Sequence, residues 1–226
     1  LVDEVKGKIH TGLVDKVVLA RDLVRALPND FSTATIMEKL LEGYPDTFVF
    51  SVDGLIGASP ETLASVRSQS VSLRVLAGSA ERGLNEPDDQ SYARALATSP
   101  KDLDEHRFAV QNVLRTLDRH GITAVADESP FLLKLPNLWH LGTDIRGALP
   151  NDTSSIQVIG ALHPTAAVAG SPTSSAKELI DSLEGLDRGR YAGPVGWLDG
   201  RGDGDWAIAL RCAQIDSQKQ WITAYA

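Results

Sequence analysis

Cysteine is almost missing from this chain. Among 226 residues there is one, Cys212, which excludes an internal disulfide framework and a cysteine-built zinc site and suits a reducing compartment. No apolar run approaches the ~18 residues that read as a membrane span, and no secretory leader pattern is present. Positive charge is in the minority. The formal net charge is −8, which argues against a nucleic-acid or anionic-membrane surface. A P-loop, a dinucleotide fingerprint and a G-x-S-x-G elbow are all absent. The glycine-rich "GRGDGDW" sits between two strand patterns with no helix after it, so it reads as a hairpin loop rather than a phosphate cradle. Neither an internal repeat nor a low-complexity linker divides the chain, and residues 1–226 are expected to form one cytoplasmic domain.

What is present is ordinary for a globular fold: 42% hydrophobic and 23% charged residues, enough for a substantial core. A short helix (Val2 to His10) leads into "DKVVLARDL", whose β-branched run reads as a strand. "STATIMEKLLEGYP" is an amphipathic helix stopped by Gly43 and Pro45. From Thr47 to Ser79 the pattern is a series of short strands with turns near Asp53-Gly54 and Ser59-Pro60. "EPDDQSYARALATS" is helical, "FLLKLPNLWHLGTDIRGAL" reads as strands, and two short helices follow. The end reads as three antiparallel strands, with hairpin turns at the Gly/Asp-rich segment and at Asp216-Ser217. Strands in runs, with helices interspersed but no strict βαβ alternation, predict an α+β fold with large antiparallel sheets.

The longest helix pattern starts at Ser99-Pro100, an N-cap followed by proline at the first helical position, and stops at Gly121. Leu103, Val110, Leu114 and Leu117 share one face at about 100° per residue. Asp102, Glu105 and His106 fall on a neighbouring face that continues as Ala109 and Val113. Acids in a first turn complement the helix dipole whatever else they do.

Several other polar residues sit in apolar or glycine-rich settings. Lys16 opens "KVVLAR"; a lysine at a strand start is ordinarily solvated, but one reaching a desolvated site could shed its proton and act as a base. Glu61 in "GASPETL" is either a surface turn residue or, in a closed cavity, an acid held protonated. Raising a glutamate from about 4.3 to near 7 disfavours its charged form by roughly 3.7 kcal/mol. His140 lies in the apolar strand "NLWHLGTDI", where a core role competes with a catalytic one. Arg211 interrupts the alternating "WAIALRCAQ", and a carboxylate of the protein or of a ligand is its natural partner. The glycines of "LAGS" and "YAGPVGW", Gly78 and Gly193 among them, would let backbone amides approach a ligand or would serve as bulges and turns.

Taken together and in order, "DKVVLAR", "GASPETL", "LAGS", "KDLDEH", "LWHLGTDI", "ALHPTAAVAGSP", "YAGPVGW" and "IALRCA" resemble the chorismate-utilising enzymes of menaquinone, siderophore and tryptophan biosynthesis. The blocks cover nearly the whole chain. The resemblance implies an α+β assembly of two large antiparallel sheets with helices outside and the site between them, acting on chorismate with Mg2+. Family members that make aminated products carry glutamine where Lys16 stands, and aminodeoxychorismate synthases carry a nucleophilic lysine where this chain has Ala77. Lys16 together with Ala77 therefore resembles the water-adding branch, isochorismate synthase or salicylate synthase. "HPTAAVAG", with Ala167 where aminating members tend to have threonine, resembles the former more closely.

By that resemblance Lys16 is the base that takes a proton from the attacking water, and Glu61 is the acid that protonates the departing C4 hydroxyl. Glu105 matches the family's metal ligand, with Asp102 one turn earlier acting through water. His140 would hydrogen-bond near the C4 side of the ring. Arg211 would clamp the enolpyruvyl carboxylate, helped by backbone amides around Gly78 and Ser79, while Thr143 and Ala167 shape the pocket with Gly193. The family's catalytic domain continues past the equivalent of "AYA" into a helix with two further carboxylates and a lysine. The chain starts without methionine and ends on an uncapped strand pattern, so it is expected to lack that C-terminal segment and an N-terminal part. The resemblance leaves salicylate synthase and a non-catalytic chorismate-fold binding module as alternatives; a monomer is expected.

Overall fold

The computed structural model describes all 226 residues. In chain order the elements are α1 (Val2–His10), β1 (Lys16–Val17), β2 (Asp22–Ala26), α2 (Thr33–Gly43), β3 (Phe48–Val52), β4 (Leu55–Ser59), β5 (Thr62–Arg67), β6 (Ser70–Glu81) and α3 (Glu86–Thr98). There follow α4 (Pro100–Arg119), β7 (Thr123–Ala126), β8 (Phe131–Lys134), β9 (Leu138–Ala148), α5 (Ser155–Leu162), β10 (Gly170–Ser171) and α6 (Thr173–Leu183). The last four are β11 (Pro194–Leu198), β12 (Gly204–Ile208), β13 (Cys212–Asp216) and β14 (Trp221–Tyr225). The fold is α+β, with a five-stranded sheet in the order β2-β14-β13-β4-β3 and a seven-stranded one in the order β11-β12-β5-β6-β9-β7, β8 also lying on β9.

The chain divides into two compact units. The first is built from residues Leu1–Thr62, His163–Gly196 and Trp206–Ala226; the second from Leu63–Leu162 and Trp197–Asp205.

The first unit holds the five-stranded antiparallel sheet and the two-residue β1–β10 ladder, in which Lys16 faces Ser171 and Val17 faces Gly170. Its core gathers Phe50, Leu55, Val195, Ala207, Ala209 and Cys212 under Phe48, Tyr191 and Tyr225. The two tyrosine rings stack at 5.1 Å. Burying one large apolar side chain in such a cluster stabilises the fold by about 1.5–3 kcal/mol. The β3–β4 hairpin turns on Asp53 and Gly54, at φ 47° and 78°, the pair of left-handed residues that a two-residue turn needs to match strand twist.

The second unit is organised on β6, whose alternation is clean: Val71, Leu73 and Val75 are buried, while Ser70, Ser72 and Arg74 are exposed. Helix α4 packs on β6, β7 and β9. Ser99 caps α4, its hydroxyl accepting from the Asp102 amide at 3.3 Å, and the helix stops at Gly121, φ +73°. Strand β6 pairs with β9 along its full length, but the register shifts between Ala77 and Ser79. The extra residue is Gly78, at φ +77°, which makes this a bulge of the kind that re-aims neighbouring side chains.

Four expectations need correction. "KVVLAR" is not one strand: β1 ends at Val17 and β2 starts at Asp22, because the backbone between them is drawn off by side chains described below. The C-terminal region holds four strands, not three, since the run through "WAIALRCAQ" breaks at Arg211, which has φ +48°. A left-handed residue interrupts the regular ladder geometry. His106 belongs to the buried stripe of α4 with Val110 and Leu117, rather than to a partly charged neighbouring face. Strand β7 adds an element on the β9 edge that the reading of "GITAVADES" did not include.

Candidate active site

In the first unit Glu61 follows the Ser59-Pro60 turn. Its backbone is fixed on both sides: the amide donates to Ser59 Oγ at 3.2 Å, and the carbonyl accepts from the Ile208 amide at 3.0 Å. The Ser59 side chain is itself buried. Burial pushes the Glu61 carboxyl above the usual carboxylate range, and the positive charge of Lys16 partly opposes that rise. The charge of Lys16 is therefore felt at Glu61. Lys16 is exposed, and its backbone is held by the ladder to β10, with Asp15 N donating to Ser171 O at 2.7 Å and Val18 N to Ala169 O at 3.0 Å. Gly170 makes that ladder feasible. It has φ +138°, and a Cβ there would stand 2.1 Å from the Lys16 carbonyl oxygen.

The remaining first-unit candidates are placed differently from one another. Arg211 is exposed, with its carbonyl accepting from the Ala58 amide and no protein carboxylate paired to its guanidinium. That leaves the fork available to an anionic ligand. Ala167 is exposed in the loop between α5 and β10. Gly193 is a turn residue: its amide donates to Arg190 O at 3.1 Å and its carbonyl accepts from Ala209 N at 2.8 Å, so both backbone groups are taken.

In the second unit the Gly78 bulge is the organising feature. Ser79 faces His140 across the ladder, and the Ser79 hydroxyl meets His140 Nδ1 at 2.8 Å. Asp102 lies over the bulge: a Cβ on Gly78 would come within 3.4 Å of Asp102 Cβ and 3.2 Å of Leu141 Cδ1. Asp102 is half-buried and Glu105, one turn on, is exposed. No third histidine, cysteine or acid joins them in a ligand cluster. Two carboxylates spaced this way suit Mg2+, which takes oxygen donors, usually one or two carboxylates, and fills its shell with water and substrate oxygens. The donor chemistry fits that ion and no thiol- or imidazole-preferring metal.

His106 is the residue that the sequence reading left without a role. It is 2% exposed, with Nδ1 at 3.0 Å from the Ala77 carbonyl and Nε2 at 2.7 Å from Thr143 Oγ1. A carbonyl only accepts, so Nδ1 carries the proton and the Thr143 hydroxyl donates to Nε2. Burial holds the imidazole below its ordinary pKa, the Ala77 carbonyl opposing that. His106 thus ties β6 to β9 at the residue before the bulge, and Thr143 is buried with its hydroxyl committed to this bond. The signal was available: His106, Val110 and Leu117 lie at i, i+4 and i+11, one line along a helix.

Every residue from 1 to 226 matches the family model described as "Chorismate binding enzyme". The chain belongs to the chorismate binding enzyme family. Among curated relatives of this family, the isochorismate synthase DhbC of Bacillus subtilis is 35% identical over 237 residues, covering 100% of this chain and 60% of its own length. A crystal structure of a putative 2,3-dihydroxybenzoate-specific isochorismate synthase, DhbC from Bacillus anthracis, superimposes with a TM-score of 0.87 at 34% identity, over 100% of this chain and 62% of that one. Anthranilate synthase component I from Streptococcus pneumoniae superimposes equally well, TM-score 0.87, at 25% identity, over 100% of this chain and 50% of that one. The chain spans about three fifths of the length of the isochorismate synthases it matches. Because two neighbours with different printed activities share the fold to the same degree, the fold of a chorismate binding enzyme does not choose the reaction; side chains must.

Proposed function

We propose that this chain is the catalytic part of an isochorismate synthase, which converts chorismate to isochorismate by adding water at ring C2 and expelling the C4 hydroxyl. The observation that carries the reading is the Lys16–Glu61 pair: a carboxyl that burial shifts above the usual carboxylate range, with the positive charge of Lys16 opposing the shift. In this reading Lys16, as the free amine, takes a proton from the water whose oxygen bonds to C2. The ring double bonds shift, the C4–O bond breaks, and Glu61 gives its proton to the departing hydroxyl, which leaves as water. One water enters and one leaves, so no redox partner is needed. The ammonium and carboxylate left behind exchange protons with solvent before the next turnover. Ala77 supports a water nucleophile, since an apolar methyl there offers no competing amine.

Further side chains supply binding groups. His140, fixed through Nδ1 by Ser79, would hydrogen-bond on the C4 side of the ring. Arg211 would fork onto the enolpyruvyl carboxylate. Asp102 and Glu105 would hold Mg2+, which when bound supplies Lewis-acid polarisation of the ring carboxylate. Substrate carboxylates and protein carboxylates repel without an intervening cation, and the chain's net charge of −8 makes that need sharper. The reading takes the enzyme as a monomer.

The test is incubation of the full-length protein with chorismate and Mg2+, with and without EDTA, followed by chromatography of the products. Isochorismate that disappears with EDTA and with Lys16→Ala supports the proposal. Salicylate with pyruvate would assign the salicylate-forming branch instead, and absence of turnover would overturn the enzymatic reading.

A further inference from the structure

The ladder that holds the Lys16 backbone is only two residues long. Its strand ends are braced further by an ion pair just past α6. Glu184 and Arg188 meet at 2.6 Å in a bidentate contact, Nε to Oε2 and Nη2 to Oε1 at 2.7 Å. The Glu184 side chain is 1% exposed and that of Arg188 18%. Both have second duties. Arg188 donates through Nη2 to Val18 O at 2.8 Å and through Nη1 to Val168 O at 3.0 Å. Glu184 Oε1 accepts from the Ala20 amide at 2.5 Å. One guanidinium thus grips a carbonyl two residues after Lys16 and another two residues before Gly170, just beyond the two strands of the same ladder. The carboxylate takes the amide that a continued strand would have used. This is why "KVVLAR" stops being a strand at Val17.

We propose that Glu184 and Arg188 are positioning residues for Lys16: their clasp sets the depth and direction from which the amine is presented. The inference rests on the reading of Lys16 as the base. A lysine exposed at the end of a two-residue strand would otherwise sweep a wide volume, and a base misplaced by about 1 Å loses on the order of 100-fold in rate. Arginine is needed because its planar fork reaches two carbonyls and a carboxylate together, which an ammonium cannot do with that geometry.

The variants are Glu184→Gln, which keeps an acceptor for Ala20, and Arg188→Lys, which keeps the charge, with folding checked by circular dichroism. Two readouts are used. In the first, acetic anhydride labelling of Lys16 is followed by mass spectrometry without substrate; the proposal expects a rise of about threefold or more in both variants, with Lys39 on α2 unchanged. In the second, chorismate turnover should show kcat falling about 10- to 100-fold while KM stays within about twofold. Native-state hydrogen exchange on the unmodified protein covers the case of variants that fail to fold: the Val18 and Ala20 amides and Lys16 labelling should lose protection together as guanidinium is raised below the unfolding transition. Folded variants with unaltered Lys16 labelling, or separate loss of protection at Ala20 and Lys16, would overturn the clasp. If the unmodified protein fails to turn over chorismate, or Lys16→Ala retains full activity, the functional reading falls while labelling and exchange still decide the clasp.

Discussion

His106 and Thr143 meet at 2.7 Å, imidazole Nε2 to hydroxyl, and through this bond a helix residue beside the candidate metal ligands is fastened to an inner strand of a sheet. The other ring nitrogen binds Ala77, so one side chain spans both strands that flank the Gly78 bulge. Removing the Thr143 hydroxyl by Thr143→Val leaves a buried ring nitrogen without its donor, a loss of about 1–3 kcal/mol. His106→Leu leaves a carbonyl and a hydroxyl stranded and should cost at least as much. In a denaturant double-mutant cycle the combined variant should lose less than the sum of the two, since both remove the same bond. Strict additivity would contradict the arrangement.

Glu61 predicts an unusual pH response. Its carboxyl holds its proton to higher pH in the folded chain than in the unfolded one, where the ordinary value is 4.5. The stability it contributes is therefore complete below about pH 4.5 and is lost as pH rises through the folded value. Glu61→Gln keeps the size and removes that loss, so the variant should melt higher than the parent near neutral pH and show no such advantage in acid. Turnover should nonetheless fall by about 10²- to 10⁴-fold, the usual worth of a positioned acid. A variant both more stable and inactive would separate the residue's chemical role from its structural one; thermal melts at pH 4 and pH 7 with chorismate turnover provide the check.

Asp89 predicts the opposite slope. It is 2% exposed and is held first by the Arg82 fork, at 2.6 and 2.8 Å, then by Trp139 Nε1, the Gly83 amide and Lys134. These partners, Arg82 foremost, hold its carboxyl well below the ordinary value of 3.8. The stability it contributes is present above that value and drains as pH falls through the folded one. Asp89→Asn should lower the melting temperature at pH 7 and flatten the acid limb of the stability curve. Because Asp89 ties α3 to Trp139, the neighbour of His140, the variant should also weaken the Ser79–His140 contact, seen as a changed His140 resonance by NMR.

Much of this was legible in the sequence. The caps of α4, Ser99-Pro100 and Gly121, mark a helix that needs no tertiary information to begin or end. The Asp53-Gly54 turn is equally local. Eight ordered blocks carried the family resemblance, and with it the candidate residues. What could not be read depends on partners far along the chain. Nothing near Val18 announces that Glu184 and Arg188 will take its backbone, and "EGLDR" looks like an ordinary exposed i, i+4 pair. Arg211 was misread for a related reason: apolar residues alternate on both sides of it, so the pattern looks continuous, while the left-handed backbone that breaks it leaves no trace in hydropathy. Ser68-Gln69, at φ 48° and 62°, closes the β5–β6 hairpin without the Asn-Gly signature that would have flagged such a turn.

The pairing of β2 with β14 sets Ala26 against Trp221 and Asp22 against Tyr225. A ribosome adding about 5–20 residues per second delivers the first of these strands some ten to forty seconds before the second. The stretch from Leu63 to Leu162 carries most of its own partners and can condense while synthesis continues. Asp22–Ala26, by contrast, has its only sheet neighbour at the far end of the chain. The sheet of the unit that holds Lys16 and Glu61 can thus be completed only after β14 has emerged, well after Leu63–Leu162 is made.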